Sequence, residues 1–233
     1  MEQLEAEKLR AKHLDWLGPL GVLDRPWLVL GSAPGPTLPA ELVAESARID
    51  INNAGRTAAA LGLGRADLTI RAHRKSWEEH PALDSKGLLW VSDYPTLWMR
   101  WQLSRQKRAR VDFLRSWRRK ERDAIVEFVV GEPMEGIGNY GKATNGIAAA
   151  CYGLFLGVPR IVLAGISAGL PGHSYDSLDR PRRQVEEDVF VLERIGKRRE
   201  LMTTEATLAA AVDIALWTPD SPAPVMPESC GRA

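Results

Sequence analysis

His173, Tyr175 and Asp176 place an imidazole, a phenol and a carboxylate within four residues. An imidazole titrates near neutrality and suits general-base work, and a phenol can hydrogen-bond a departing phosphate. A second set is the turn Gly31-Ser32-Ala33-Pro34-Gly35-Pro36, which follows the apolar run Trp-Leu-Val-Leu at 27–30. A Gly-rich turn at the carboxyl end of a strand lets backbone approach a phosphate or ribose closely. It matches neither GxGxxG nor GxxxxGK[ST], which disfavours dinucleotide and P-loop binding. The third set is Ala143-Thr144-Asn145-Gly146, ahead of an apolar stretch. With Thr144 as N-cap, free N–H groups at a helix start attract a phosphate. Each set also has a plainer reading: an ordinary turn, a good cap, a polar surface loop.

These residues need elements to hold them. The short apolar runs at 27–30, 47–52, 66–70, 87–92, 125–130 and 161–164 predict six strands. Helix-like stretches such as 143–156 lie between them. Apolar strands alternating with helices imply an α/β fold. The expectation is a doubly wound, mostly parallel Rossmann-like sheet with helices on both faces and an inserted helical lid. Residues 1–17 read as a helix with a sparse Leu4, Leu9, Leu14 stripe, a docked peripheral arm. The organisation expected is one domain over 1–217, with a basic Trp-containing helical insertion at 94–123 and a lid loop and helix at 170–199. Residues 218–233 form a Pro-rich tail, expected to be disordered. Cys151, in an apolar helix, reads as core packing.

Taken in order, these stretches resemble the sialyltransferases, bacterial and animal enzymes that use CMP-sialic acid. That family opens with a strand and a GNG-type loop, and its second strand ends in Asn. Later come a [ST]-[ST]-G-type turn on an Ala/Leu-rich helix, a strand like IYLSGID and a Tyr-containing loop. Here the corresponding stretches are VLGSAPGPTLP, RIDINNAG, KATNGIAAACYGLFLGVPRIVLAGISAG and GHSYD, with the best match over 142–176.

The resemblance implies an inverting, metal-independent transferase with a CMP-sugar as donor substrate and no cofactor. It implies that the loop Gly31, Ser32, Ala33, Pro34 and Asn52, with Asn53 beside it, contact the CMP ribose or phosphate. Thr144, Asn145 and Gly146 would hold the phosphate and the sugar carboxylate, and Ser167 would complete the donor set. Tyr175 would bond the leaving phosphate. The sequence departs from the family at Ser32, where Asn is usual, and at Ser167, where Asp is usual. No His lies in 180–188, ahead of the charged helix, so the base is His173, Asp176, Glu186 or Glu187, or the chemistry differs. The donor sugar is sialic acid, Kdo or a similar acidic sugar. Arg182 and Arg183 are available to pair with its carboxylate or with an anionic acceptor. His73, in Arg-Ala-His-Arg-Lys-Ser-Trp, touches donor or acceptor or stands in a solvated basic loop.

Composition sets the limits. The chain has 233 residues, 45% hydrophobic and 26% charged, with formal net charge +1. No apolar run approaches the roughly 20 residues of a membrane span. Two cysteines are too few for a disulfide framework or a Cys-based zinc site. With a charged N-terminal stretch unlike a signal peptide, the expected location is the cytoplasm. Residues 100–122 hold ten Lys and Arg against two Asp and Glu. Trp98, Trp101 and Trp117 lie in this neighbourhood, and Leu97, Trp101, Val111, Leu114 and Trp117 are placed to share one face. That segment reads as a lid with solvated charges, or as a peripheral membrane contact through 97–122 at the inner membrane face. Nucleic-acid binding is disfavoured, since no matching motif or basic surface accompanies it. The expected partners are a nucleotide-sugar donor and a glycan or glycolipid acceptor. Two rival readings are a pterin diphosphokinase-like enzyme needing ATP and magnesium, and a non-catalytic nucleotide- or glycan-binding protein.

Overall fold

Trp27–Leu30 forms β1, and every residue of it is buried. The reason is two-sided cover: Trp27 and Val29 enter one apolar cluster while Leu28 and Leu30 enter another on the opposite face. Successive side chains of a strand point to opposite faces, so a sheet covered on both sides reads as a continuous apolar run. The computed structural model describes residues 1–167 and 183–224. Its remaining strands are β2 (Ala47–Ile51), β3 (Ala66–Ala72), β4 (Asp84–Val91), β5 (Arg110–Trp117), β6 (Ile161–Ala164), β7 (Leu201–Thr203) and β8 (Ala215–Leu216). They make one sheet in the order β5-β4-β3-β2-β1-β6-β7-β8. Every pairing is parallel, for example Trp27 beside Ala47 on one side and Ile161 on the other.

The helices are α1 (Gln3–Leu17), α2 (Ala40–Glu45), α3 (Ala54–Ala60), α4 (Thr96–Ser104), α5 (Arg119–Val130), α6 (Asn145–Leu156), α7 (Val185–Ile195) and α8 (Ala206–Val212). Residues from α1, α5, α6 and α7 build the larger core on one face of the sheet. Those of α2 and α3 cover the other face beside β1, and α4 covers it beside β4 and β5. Cys151 is buried in α6, and burial pushes its thiol up to about 12. The expected α/β architecture is present.

Several expectations need correction. Residues 125–130, read as a strand, are the second half of α5. Its buried positions are Arg122, Ile125, Val126 and Val129, a helical spacing rather than a period of two. The helical insertion over 94–123 is instead α4, the edge strand β5 and the start of α5. Leu97 and Trp101 are exposed while Leu114 and Trp117 are buried, so they share no face. Trp117 packs on Tyr152 in the main core, with ring centroids 4.7 Å apart. β7 and β8 were not anticipated; both are short. Of the lid segment and the tail, 168–182 and 225–233 lie outside the described residues.

α1 docks through Ala6, His13 and Leu17, whereas Leu4 of the anticipated stripe is 61% exposed. The His13 ring is fully buried and its Nδ1 shares a 2.7 Å hydrogen bond with the Tyr152 hydroxyl. Burial pushes the imidazole down to about 4, against an opposing pull from Glu121. Buried His80 is likewise pushed down to about 4 by burial and by Arg71 and Arg56. Between pH 4 and about 6.5 the unfolded chain takes up protons that the native imidazoles refuse. Stability is therefore complete above about pH 6.5 and is lost as pH falls toward 4, by on the order of 3 kcal/mol for His13 and by less for His80, whose shift solvent screens more. Urea titrations across that range should show this slope. His13→Gln, which keeps an acceptor for Tyr152, should flatten the larger part of it.

Candidate active site

The chain leaves β1 toward β2 on one side, and β6 comes to lie on the other. The loops after β1 and β6 therefore diverge, and the crevice between them is where ligands bind in open α/β sheets. The two loops touch first at glycine. Gly31 N–H donates to the Ala164 carbonyl and Ala33 N–H to the Gly165 carbonyl, each at 2.8 Å. A Cβ on Gly31 would lie 2.3 Å from the Gly165 oxygen and 2.6 Å from Ile166 Cγ1. Backbone blocks the side chain there, so the crossing requires glycine.

The crevice is a cleft of about 670 Å³. At the end of β2, Asn52 adopts φ +56°, a left-handed conformation uncommon outside glycine. Its Oδ1 accepts the Ala72 N–H at 2.9 Å and Asn145 Nδ2 at 3.2 Å. Asn145 Oδ1 in turn accepts from Arg122 Nη1 at 2.8 Å. A donor fixed by its chemistry sits at each oxygen, so both amides have one orientation. Arg71, fully buried in β3, holds the same turn from below. It donates to the Asn52 carbonyl at 3.3 Å, to Asn53 Oδ1 and to the Ser76 carbonyl at 2.8 Å.

α6 opens onto the cleft, and its first intrahelical bond runs from Ala148 N–H to the Thr144 carbonyl. The Thr144 side chain makes no capping bond. Instead its N–H and its hydroxyl both reach the Asp188 carboxylate of α7, at 2.7 and 2.8 Å. Thr144 therefore spends both donors on Asp188. The helix-start donors left to face a ligand are the N–H groups of Asn145 and Gly146.

Neither a protein-family model nor a curated protein matches the sequence. Two solved structures are similar in shape. One is the sialyltransferase CST-II in complex with trisaccharide acceptor and CMP: 12% identity, TM-score 0.51, covering 86% of this chain and 89% of that one. The other is the sialyltransferase CstII from Campylobacter jejuni with the substrate analogue CMP-3FNeuAc: 12% identity, TM-score 0.49, covering 88% and 91%. The chain has the CstII fold.

Within that fold, Gly31, Ser32, Asn52, Thr144, Asn145, Gly146 and Ser167 come together on the cleft wall from four separate stretches of sequence. Ala33, Pro34 and Asn53 do not line it. Ala33 is buried, and the Asn53 side chain is taken by Arg71 and by Glu79, the latter at 2.5 Å. His173, Tyr175 and Asp176 lie outside the described residues. Of the other base candidates, Glu187 is buried, accepts the Tyr140 N–H at 2.6 Å and lies against Gly138; neither it nor exposed Glu186 lines the cleft.

His73 does line it, and its ring lies 5.1 Å from Tyr94 and 5.6 Å from both Trp90 and Trp98. Arg74, Lys75, Arg119, Arg122, Lys142 and Arg183 also border the cleft, and Asp188 is its one carboxylate among the described residues. That excess of positive charge concentrates anions. Sequence reasoning missed Arg71, Arg122 and Asp188 as the residues that set Asn52, Asn145 and Thr144. Their partners are 19, 23 and 44 positions away, and no local spacing signals them.

Proposed function

We propose that the protein is an inverting glycosyltransferase that moves an acidic sugar, sialic acid or Kdo-like, from a CMP donor to a hydroxyl of a glycan or glycolipid. The observation that carries this reading is the cationic cleft between β1 and β6. There the start of α6 meets the oriented Asn52–Asn145 amide pair. Shared fold with a sialyltransferase solved with CMP supports it.

In this reading Gly31, Ser32 and Asn52 take the nucleoside, with the Asn52 Nδ2 as donor. The N–H groups of Asn145 and Gly146 take the phosphate, helped by the helix dipole. Ser167 and Arg183 take the sugar carboxylate. The acceptor oxygen attacks the anomeric carbon as the bond from that carbon to the phosphate oxygen breaks. CMP leaves with the electron pair, and the configuration inverts. The acceptor proton passes to His173, while Tyr175 and the start of α6 stabilise the phosphate that departs.

The test is thermal stabilisation by CMP, CDP, UDP, GDP and ATP, each with EDTA or magnesium. CMP at about 100 times its dissociation constant should add about 2.7 kcal/mol, equally in both buffers. A magnesium-dependent shift with ATP and none with CMP overturns the reading. With a CMP-sugar donor, His173→Ala should then cost about 10²–10⁴-fold in transfer, the usual worth of a general base. If His73→Ala causes that loss and His173→Ala does not, the base is the cleft imidazole instead.

A further inference from the structure

α4 separates two chemistries. Met99 is fully buried and, with Trp98 and Leu103, packs on Leu88, Trp90 and Leu114. The opposite side carries Leu97, 79% exposed, and Trp101, 55% exposed, with Tyr94, 48% exposed, just ahead of the helix. Leu97 and Trp101, four apart on α4, lie on one stripe. Single exposed apolar residues are ordinary, but a cluster marks an interaction surface. Residues 96–108 add Arg100, Arg105, Lys107 and Arg108 and no acidic residue. The Arg105 guanidinium lies 5.0 Å over the Trp101 ring. The surface stops there: beyond it Arg110 pairs with Asp84 at 2.6 Å and Trp117 is buried.

We propose that this face docks the protein on an anionic lipid bilayer, with Leu97 and Trp101 entering the headgroup region and the four cations against lipid phosphates. Trp and Tyr favour the membrane–water interface, and each nearby cation adds attraction to an anionic leaflet. A second copy fits poorly, because a two-fold interface would set the same four cations against each other. A nucleic acid would leave Leu97, the most exposed of the large apolar residues described, without a role. The face also adjoins the cleft: Tyr94 stacks on Trp98 at 4.2 Å, and both contact His73. On the transferase reading, docking turns the cleft toward a lipid-linked acceptor. The docking itself does not depend on that reading.

The full chain is sedimented with vesicles of phosphatidylcholine alone, or mixed with phosphatidylglycerol, at low and high salt. Binding is expected only to the mixed vesicles and is weakened by salt. Arg105→Glu with Arg108→Glu, and separately Leu97→Ser with Trp101→Ser, should each weaken it at least about tenfold. Neither pair should change melting temperature or the response to CMP. No binding, or equal binding to neutral vesicles, overturns the proposal. Loss in the charge pair alone also overturns it, leaving surface adhesion without insertion. A dimer that Trp101→Ser dissociates overturns it in favour of a second copy. Retention on an immobilised acidic saccharide without vesicle binding overturns it in favour of a sugar site in the Trp77–Trp101 groove. Vesicle binding without CMP stabilisation removes the transferase reading and leaves the docking; CMP stabilisation without vesicle binding does the reverse.

Discussion

Asn145→Ala is expected to fold and to lose about half or more of the stabilisation by CMP. The Asn145 side chain accepts from buried Arg122 and donates to Asn52, so it joins α5, α6 and the end of β2 at one point. Its removal leaves one guanidinium N–H without its acceptor, at a cost of about 1–3 kcal/mol. The fold survives because Arg122 keeps Asp123, at 2.5 and 2.9 Å, and Asn52 keeps the Ala72 N–H. Binding weakens at least about tenfold in dissociation constant, because the left-handed Asn52 turn loses a tie and its amide can rotate. Asn145→Asp separates the two roles. A carboxylate there still accepts from Arg122, as a stronger charge-assisted bond. It loses the donor to Asn52 and brings negative charge to the start of α6, where the proposed phosphate sits. Stability in urea near that of the unmodified chain, with CMP stabilisation lost, is the expected pair of results. CMP stabilisation intact in Asn145→Asp would move the phosphate away from α6.

The sheet was legible where both its faces are covered. β1 and β6 are unbroken apolar runs, bounded by Gly31 and Gly165, and no other element produces that pattern so briefly. α5 was misread because 125–130 is rich in β-branched residues, and its full period appears once Arg122 counts as a buried residue. Hydropathy cannot supply that, because Arg122 is buried by virtue of Asn145 and Asp123. β5 failed for the opposite reason. As an edge strand it exposes Arg110, Asp112 and Phe113, and Asp112 is held by Arg65, which immediately precedes β3. Its charges resemble a solvated helix face and instead discourage edge-to-edge pairing. At the site, the wall residues were legible because Gly, Asn and Thr mark turns and helix starts. Their supports were not, since Asp188 and Arg71 act through hydrogen bonds that only the fold brings together.

Gly31→Ala should be the most damaging single methyl in the cleft. The added carbon would meet the Gly165 carbonyl oxygen at 2.3 Å, a backbone atom that no rotamer change can move. Relief requires the loops after β1 and β6 to separate, which breaks the bonds from Gly31 and Ala33 to the 164–165 carbonyls. Overpacking of this kind costs about 1–3 kcal/mol, and the lost backbone bonds add about 1 kcal/mol each. A fall of on the order of 10 °C in melting temperature follows for a chain of this length. Gly64→Ala is the matched control. Nothing lies within 4 Å of its added carbon, so the same chemical change should be neutral or slightly stabilising. The difference between the two variants isolates the crossing from any general effect of glycine replacement. The same separation moves Ser32 and Ser167, which face the cleft from the two loops, so the melting loss should be accompanied by weaker CMP stabilisation. A Gly31→Ala protein that melts low yet responds fully to CMP would show that the nucleotide is held by α6 and Asn52 alone, and that the crossing serves the sheet rather than the ligand.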